Sequence, residues 1–169
     1  MSMTRQLEVW LRGPIDGIPP LLQPVAHALL QCREEVAVHV ASLPPAQLSV
    51  RPGGAASIGY HVRHAAGSLD RLFPYARGEA LSADQMASLR TEGDVDTDPD
   101  AAAKLVAAFD AAVDKALAQL RATDERTLLD ARGVGRAQLP STVLGLLFHA
   151  AEHTQRHMGQ MVTTIKVSA

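Results

Sequence analysis

Apolar residues recur every three to four positions along four separate stretches of this chain, and nowhere do they alternate over more than a few residues. That spacing turns one face of a helix inward, whereas a half-buried strand would alternate. The first stretch runs from Leu21 to Leu43, with Leu22, Val25, Ala26, Leu29, Leu30, Val36, Val40 and Leu43 in period, and Pro44-Pro45 ends it. In the second, Ser57 is the expected N-cap, and Ile58, Val62, Ala65, Leu69, Leu72, Phe73 and Ala76 share a face. Pro74 is expected to kink or loosen its end. The third opens with Asp98 as cap, Pro99 in the first helical position and Asp100 complementing the dipole. Leu105, Val106, Phe109, Val113, Ala116, Leu117 and Leu120 mark its buried face. The fourth is capped by Ser141 or Thr142 and is expected to run to about Lys166.

Between the second and third stretches lies a long polar connection, from Gly78 to Pro99, with room for one short helix near Asp84 to Arg90. A second connection, Thr123 to Pro140, shows no strand pattern. Residues 1–19 form an N-terminal extension, in which Trp10 is expected to pack across the bundle or against a dimer partner. The pattern predicts an all-α, four-helix bundle with long 2–3 and 3–4 connections, in one domain covering residues 1–169.

Composition narrows the function classes. A net charge of −2 supplies neither the basic field that attracts nucleic acid nor a polybasic patch for anionic lipid. No apolar run approaches the roughly 18 residues of a membrane span, and no signal-peptide layout is visible. The expectation is a soluble, cytoplasmic protein. The single cysteine, Cys32, cannot form an intramolecular disulfide and reads as a small core residue, as Met158 and Met161 do.

Histidine is where chemistry concentrates. Of 7 histidines, His61 and His64 fall in the second stretch, while His149, His153 and His157 are spaced every four residues in the fourth. Imidazoles at i and i+4 stand about 6 Å apart along a helix axis, close enough to converge on one metal ion through bonds of about 2.0–2.1 Å. On a helical wheel His153 and His157 lie beside the apolar arc of Val143, Leu146, Leu147, Ala150, Met158, Met161, Val162 and Ile165, with His149 at the rim. For the second stretch the wheel favours His61 over His64, since His61 lies nearer the centre of the apolar face. His149-Ala-Ala-Glu152-His153 also matches an inverted zincin motif, but no Asp or Glu follows His153 to complete such a site. The acidic run around Glu92-Gly93-Asp94-Val95-Asp96-Thr97-Asp98 reads as a solvated loop. A carboxylate from it, folded over the histidines, is the alternative.

These residues resemble the DinB-like (DinB/YfiT) superfamily. The resemblance is carried by Ser57-Ile58-Gly59-Tyr60-His61-Val62-Arg63-His64-Ala65-Ala66-Gly67-Ser68 and by His149, His153 and His157 followed by Met158-Gly159-Gln160. It implies an up-down-down-up four-helix bundle, a homodimer, and three histidines holding a divalent metal. In the superfamily register, apolar residues stand six and two positions before the helix-two ligand, and Ile58 and Val62 occupy those places only for His64. The ligand set implied by the resemblance is therefore His64, His153 and His157, with His61 and His149 as neighbours able to orient a water or substrate. The implied cofactor is zinc, nickel or iron.

Three imidazoles leave a further coordination position open. A metal held that way can activate water, giving a hydrolase, or a thiol, giving an S-transferase. Relatives that use low-molecular-weight thiols support the second. The expected partner is a small-molecule substrate, with a low-molecular-weight thiol as possible co-substrate, and no nucleic acid or membrane. Glu152 turns outward on the wheel, so no general base is visible. The alternative is a non-catalytic, stress-associated helical dimer whose metal is structural or incidental.

Overall fold

All four periodic stretches are helical in the computed structural model, which describes residues 7–95 and 97–168. In chain order the helices are α1 (Gln23–Val40), α2 (Pro45–Leu48), α3 (Ile58–Arg77), α4 (Ala83–Thr91), α5 (Ala101–Ala122) and α6 (Val143–Val167). A two-stranded antiparallel hairpin, β1 (Ala131–Val134) and β2 (Leu139–Thr142), stands in the connection before α6. Among the described residues the fold is all-α with this one small sheet.

Both α1 and α3 pack against α5 and α6, so α1 and α3 occupy one diagonal of the bundle. The shared core is built from the periodic positions: Leu22, Leu29, Val36, Ile58, Leu69, Phe109, Leu120, Leu147, Met158 and Met161 are all buried. Each such side chain contributes about 1.5–3 kcal/mol by leaving water. Cys32 is buried among them, and burial raises its thiol pKa, so it behaves as a hydrophobe. Among the described residues no helix is long and apolar enough to cross a membrane.

Helix ends follow local chemistry. Ser57 accepts from the Tyr60 amide at 3.2 Å, and Thr142 accepts from Gly145 at 3.0 Å. Regular α5 geometry begins at Ala101, two residues later than Pro99 would set it. Asp98 nonetheless does a cap's work, accepting from the Asp100 amide at 2.9 Å.

Pro74 lies inside α3, which continues to Arg77 and closes at Gly78 in the left-handed conformation (φ 79°). Proline cannot donate to the carbonyl four residues back, here that of Asp70. Gln85 Nε2 from α4 donates to it instead at 2.6 Å, which repairs the missing bond. Gln85 also completes a capping box with Ser82, so α4 is docked and capped by one side chain. Of the two places expected for Trp10, the one across the bundle is not taken: the side chain is 61 % exposed, and its indole N–H donates to Glu8.

The hairpin escaped the sequence pattern because its strands are four residues long and bury none of their residues, leaving no apolar alternation to read. It is anchored where Arg132 Nε donates to the Ala76 carbonyl at 2.9 Å.

Candidate metal centre

The third and fourth turns of α6 face the first two turns of α3. His61 lies opposite His157 and His64 opposite His153, so the two helices run antiparallel there. On α6 the four-residue spacing brings the His153 and His157 rings to a centroid separation of 4.6 Å. His64 closes the group, its ring centre 4.5 Å from that of His157 and 5.1 Å from that of His153. One nitrogen from each of His64, His153 and His157 lies within 4.8 Å of the others.

This donor set fits a divalent cation. His64 Nε2 and His153 Nε2 are 2.9 Å apart. Two metal–nitrogen bonds of about 2.0–2.1 Å at a tetrahedral angle would hold them about 3.3 Å apart. Imidazole ligates only when neutral, and the surroundings favour that form. Burial, and then the neighbouring His64, His153 and His61 rings, push His157 down to about 4. Burial, followed by His64 and His149, likewise lowers His153.

His61 and His149 hold different places. His61 is the more deeply buried histidine of α3, as the wheel indicates, and burial lowers its pKa. Its Nδ1 lies 3.0 Å from His157 Nδ1, so one of the two donates to the other and His157 Nε2 remains available. His149 is exposed at the rim beside Glu152, and Glu152 is engaged by Arg156. The inverted zincin arrangement is therefore not formed.

The acidic connection does more than its sequence suggests. Gly93, Asp94, Val95 and Asp98 are exposed, but Glu92 is 5 % exposed and its carboxylate reaches the site. Glu92 Oε2 accepts from His64 Nδ1 at 2.6 Å, and Oε1 accepts from Arg71 Nη1 at 2.7 Å. Burial alone would raise the Glu92 pKa, but the bonds to His64 and Arg71 outweigh it and hold the group ionised. The segment is tied down by Arg63, whose Nε donates to the Glu92 carbonyl at 3.0 Å and whose Nη2 donates to that of Asp94. Glu92 thus stands behind His64, on the side away from His153, and does not lie over the cluster. Tyr60 stacks on the His64 ring at 5.3 Å with the planes 9° apart. No short-range spacing connects Glu92 to His64, 28 residues earlier, so the sequence signal was only its place in an acidic run.

The sequence profile of the DinB superfamily matches residues 28–161, which contain all five of these histidines. The chain belongs to the DinB superfamily. Its fold is also similar to a crystal structure titled as the conserved protein of a locus from Enterococcus faecalis. That likeness has a TM-score of 0.66 and 21 % identity, over 86 % of this chain and 95 % of that one. No curated protein matches the chain. For this DinB-superfamily protein the established ground is thus a helical fold and three adjacent histidines able to hold a metal ion.

Proposed function

We propose that His64, His153 and His157 hold one divalent ion (zinc, nickel or iron) and that the protein is a metal-dependent enzyme acting on small molecules. The observation that carries this reading is the convergence of three imidazoles from two helices, two of them with lowered pKa values, within 4.8 Å. A bound ion of this kind lowers the pKa of a coordinated water or thiol.

The chain's own residues supply the rest. A cleft of about 580 Å³ opens beside His157, lined by Tyr60, His61, Arg156, Gln160, Thr163 and Thr164 among others. Its mix of apolar wall and polar groups suits a small, partly polar substrate. Of the two chemistries, S-transfer is favoured over hydrolysis. Water attack ordinarily needs a positioned base, and no carboxylate of the described residues lines this cleft: Glu152 turns to Arg156, and Glu92 lies behind His64. A thiol, with an unperturbed pKa near about 8.5, ionises with far less help. A low-molecular-weight thiol is therefore the proposed co-substrate, and we place a homodimer in the cytoplasm.

A second reading has one observation in its favour. The His61–His157, His64–His153 and His64–Glu92 pairs knit the cluster together through hydrogen bonds of their own. A non-catalytic bundle with a structural or incidental metal would use them so. The test is metal analysis of protein purified without a nickel column, followed by chelation and an electrophile screen with glutathione, mycothiol and bacillithiol. The enzyme reading expects stoichiometric metal, a fold that survives chelation, and metal-dependent thiol consumption. Collapse on chelation, with no turnover, supports the structural reading.

A further inference from the structure

We propose that Glu92 is the positioning residue of the metal site: clamped by Arg71 and seated over Gly67, it holds the His64 proton on Nδ1 and turns the Nε2 lone pair toward His153 and His157. The inference rests on the three-histidine reading above for its effect on metal, but its effect on the ring stands without it.

The geometry is specific at each point. Glu92 is nearly buried and divides its two oxygens between partners, Oε2 to His64 Nδ1 at 2.6 Å and Oε1 to Arg71 Nη1 at 2.7 Å. An ionised carboxylate only accepts, so the His64 nitrogen facing it has to carry a proton. In a neutral imidazole that leaves the other nitrogen as a lone pair, and His64 Nε2 is the atom 2.9 Å from His153 Nε2. Room for this arrangement is cut into α3 itself. A Cβ on Gly67 would meet Glu92 Oε1 at 2.4 Å and Arg71 Nη1 at 2.7 Å, so no larger residue leaves the carboxylate where it is. Gly67 sits mid-helix, where glycine is otherwise a poor choice. α4 and the turn after it deliver Glu92 to this notch, and Arg63 pins the backbone there.

Glu92→Gln separates positioning from mere packing, because the amide keeps the shape and changes the donors. The Arg71 guanidinium only donates, so it takes the amide oxygen and leaves the amide NH2 facing His64. His64 Nδ1 then has to accept, which moves the ring proton to Nε2, the atom that would bind the ion. Gly67→Ala is the second variant: it keeps the carboxylate but displaces it, and only the ends of two flexible side chains have to move.

The experiment has two arms. Long-range proton–nitrogen NMR on metal-free protein at pH 8 reads the His64 tautomer, and zinc titration against a competing chelator reads affinity. Wild type is expected to show His64 protonated on Nδ1. Glu92→Gln is expected to show it protonated on Nε2, with zinc bound about 10–100-fold more weakly. Gly67→Ala is expected to lose zinc affinity in the same range at a melting temperature equal to or above that of wild type. The proposal is overturned if Glu92→Gln keeps the Nδ1 proton, or if both variants bind zinc within threefold of wild type. Failure of wild type to bind zinc overturns the metal reading instead, and the tautomer arm then decides the role of Glu92 in the metal-free protein.

Discussion

Acidifying the metal-free protein from pH 7 to pH 5 should remove stability through the buried histidine cluster, and most sharply through His157. Burial and three neighbouring imidazoles lower this residue from an ordinary value near 6.5 to about 4 in the folded chain. In that window the unfolded state binds the proton and the folded state does not. Stability is therefore complete above the unfolded pKa and falls as pH drops through the window, levelling off only below about pH 4, where both states bind the proton. At pH 5 the unscreened linkage for one such group is about 2 kcal/mol. The ring keeps partial contact with water, and screening reduces this to about 1 kcal/mol. For a domain of this size that is a drop of about 2–4 °C in melting temperature. His61 and His153 are lowered in the same direction and add to it. Glu92 does not oppose it: its depressed pKa gives stability that is lost only further down, as pH falls through its folded value. The assay is thermal unfolding followed by circular dichroism in EDTA, at pH 7, 6 and 5, on wild type and His157→Gln. The variant should show a shallower loss by about 1 kcal/mol. Equal slopes for the two proteins would refute the claim that this ring is held neutral by its surroundings.

Other outcomes follow from single contacts. Leu147→Ala, at a fully buried position on α6, should cost about 2–5 kcal/mol in chemical denaturation without altering the helix content of the folded state. Gln85→Ala removes both the donor to the Asp70 carbonyl and half of a capping box. It should cost about 1–2 kcal/mol and speed hydrogen exchange in α4 more than in α5. Thr142→Ala removes the cap of α6 and should lower stability by about 1 kcal/mol. His149→Ala, at an exposed rim position, should leave metal affinity within a few-fold of wild type in the same zinc titration.

The bundle was legible because it is written in local repeats. Period-3.6 apolar faces and the Ser57 and Thr142 caps all concern neighbours within a turn or two. What escaped reading depends on partners far apart in sequence. Pro74 reads as a weak point of its helix until Gln85, 11 positions later, supplies the bond that proline withholds. Glu92 looks like part of a solvated acidic run until Arg71 and His64 bury it. The α3 histidines show both limits together. The wheel correctly finds His61 the deeper of the two, yet depth is not the property that brings His64 against His153 and His157. That depends on register between helices, which hydrophobicity along one helix does not encode. Gly67 is the nearest thing to a sequence trace of Glu92: a glycine one turn after His64, mid-helix, where only a neighbour needing space explains it.

His64, His153 and His157 are proposed to share one ion, and that sharing can be tested. Its most direct measurement is the metal content, by mass spectrometry, of wild-type chain and of His64→Ala, each purified without exposure to added metal. About one divalent ion per wild-type chain is expected, with a near-complete loss in the variant, at an unchanged fold. A variant that retains the wild-type complement, or a wild-type chain that carries none and takes up none, would contradict it.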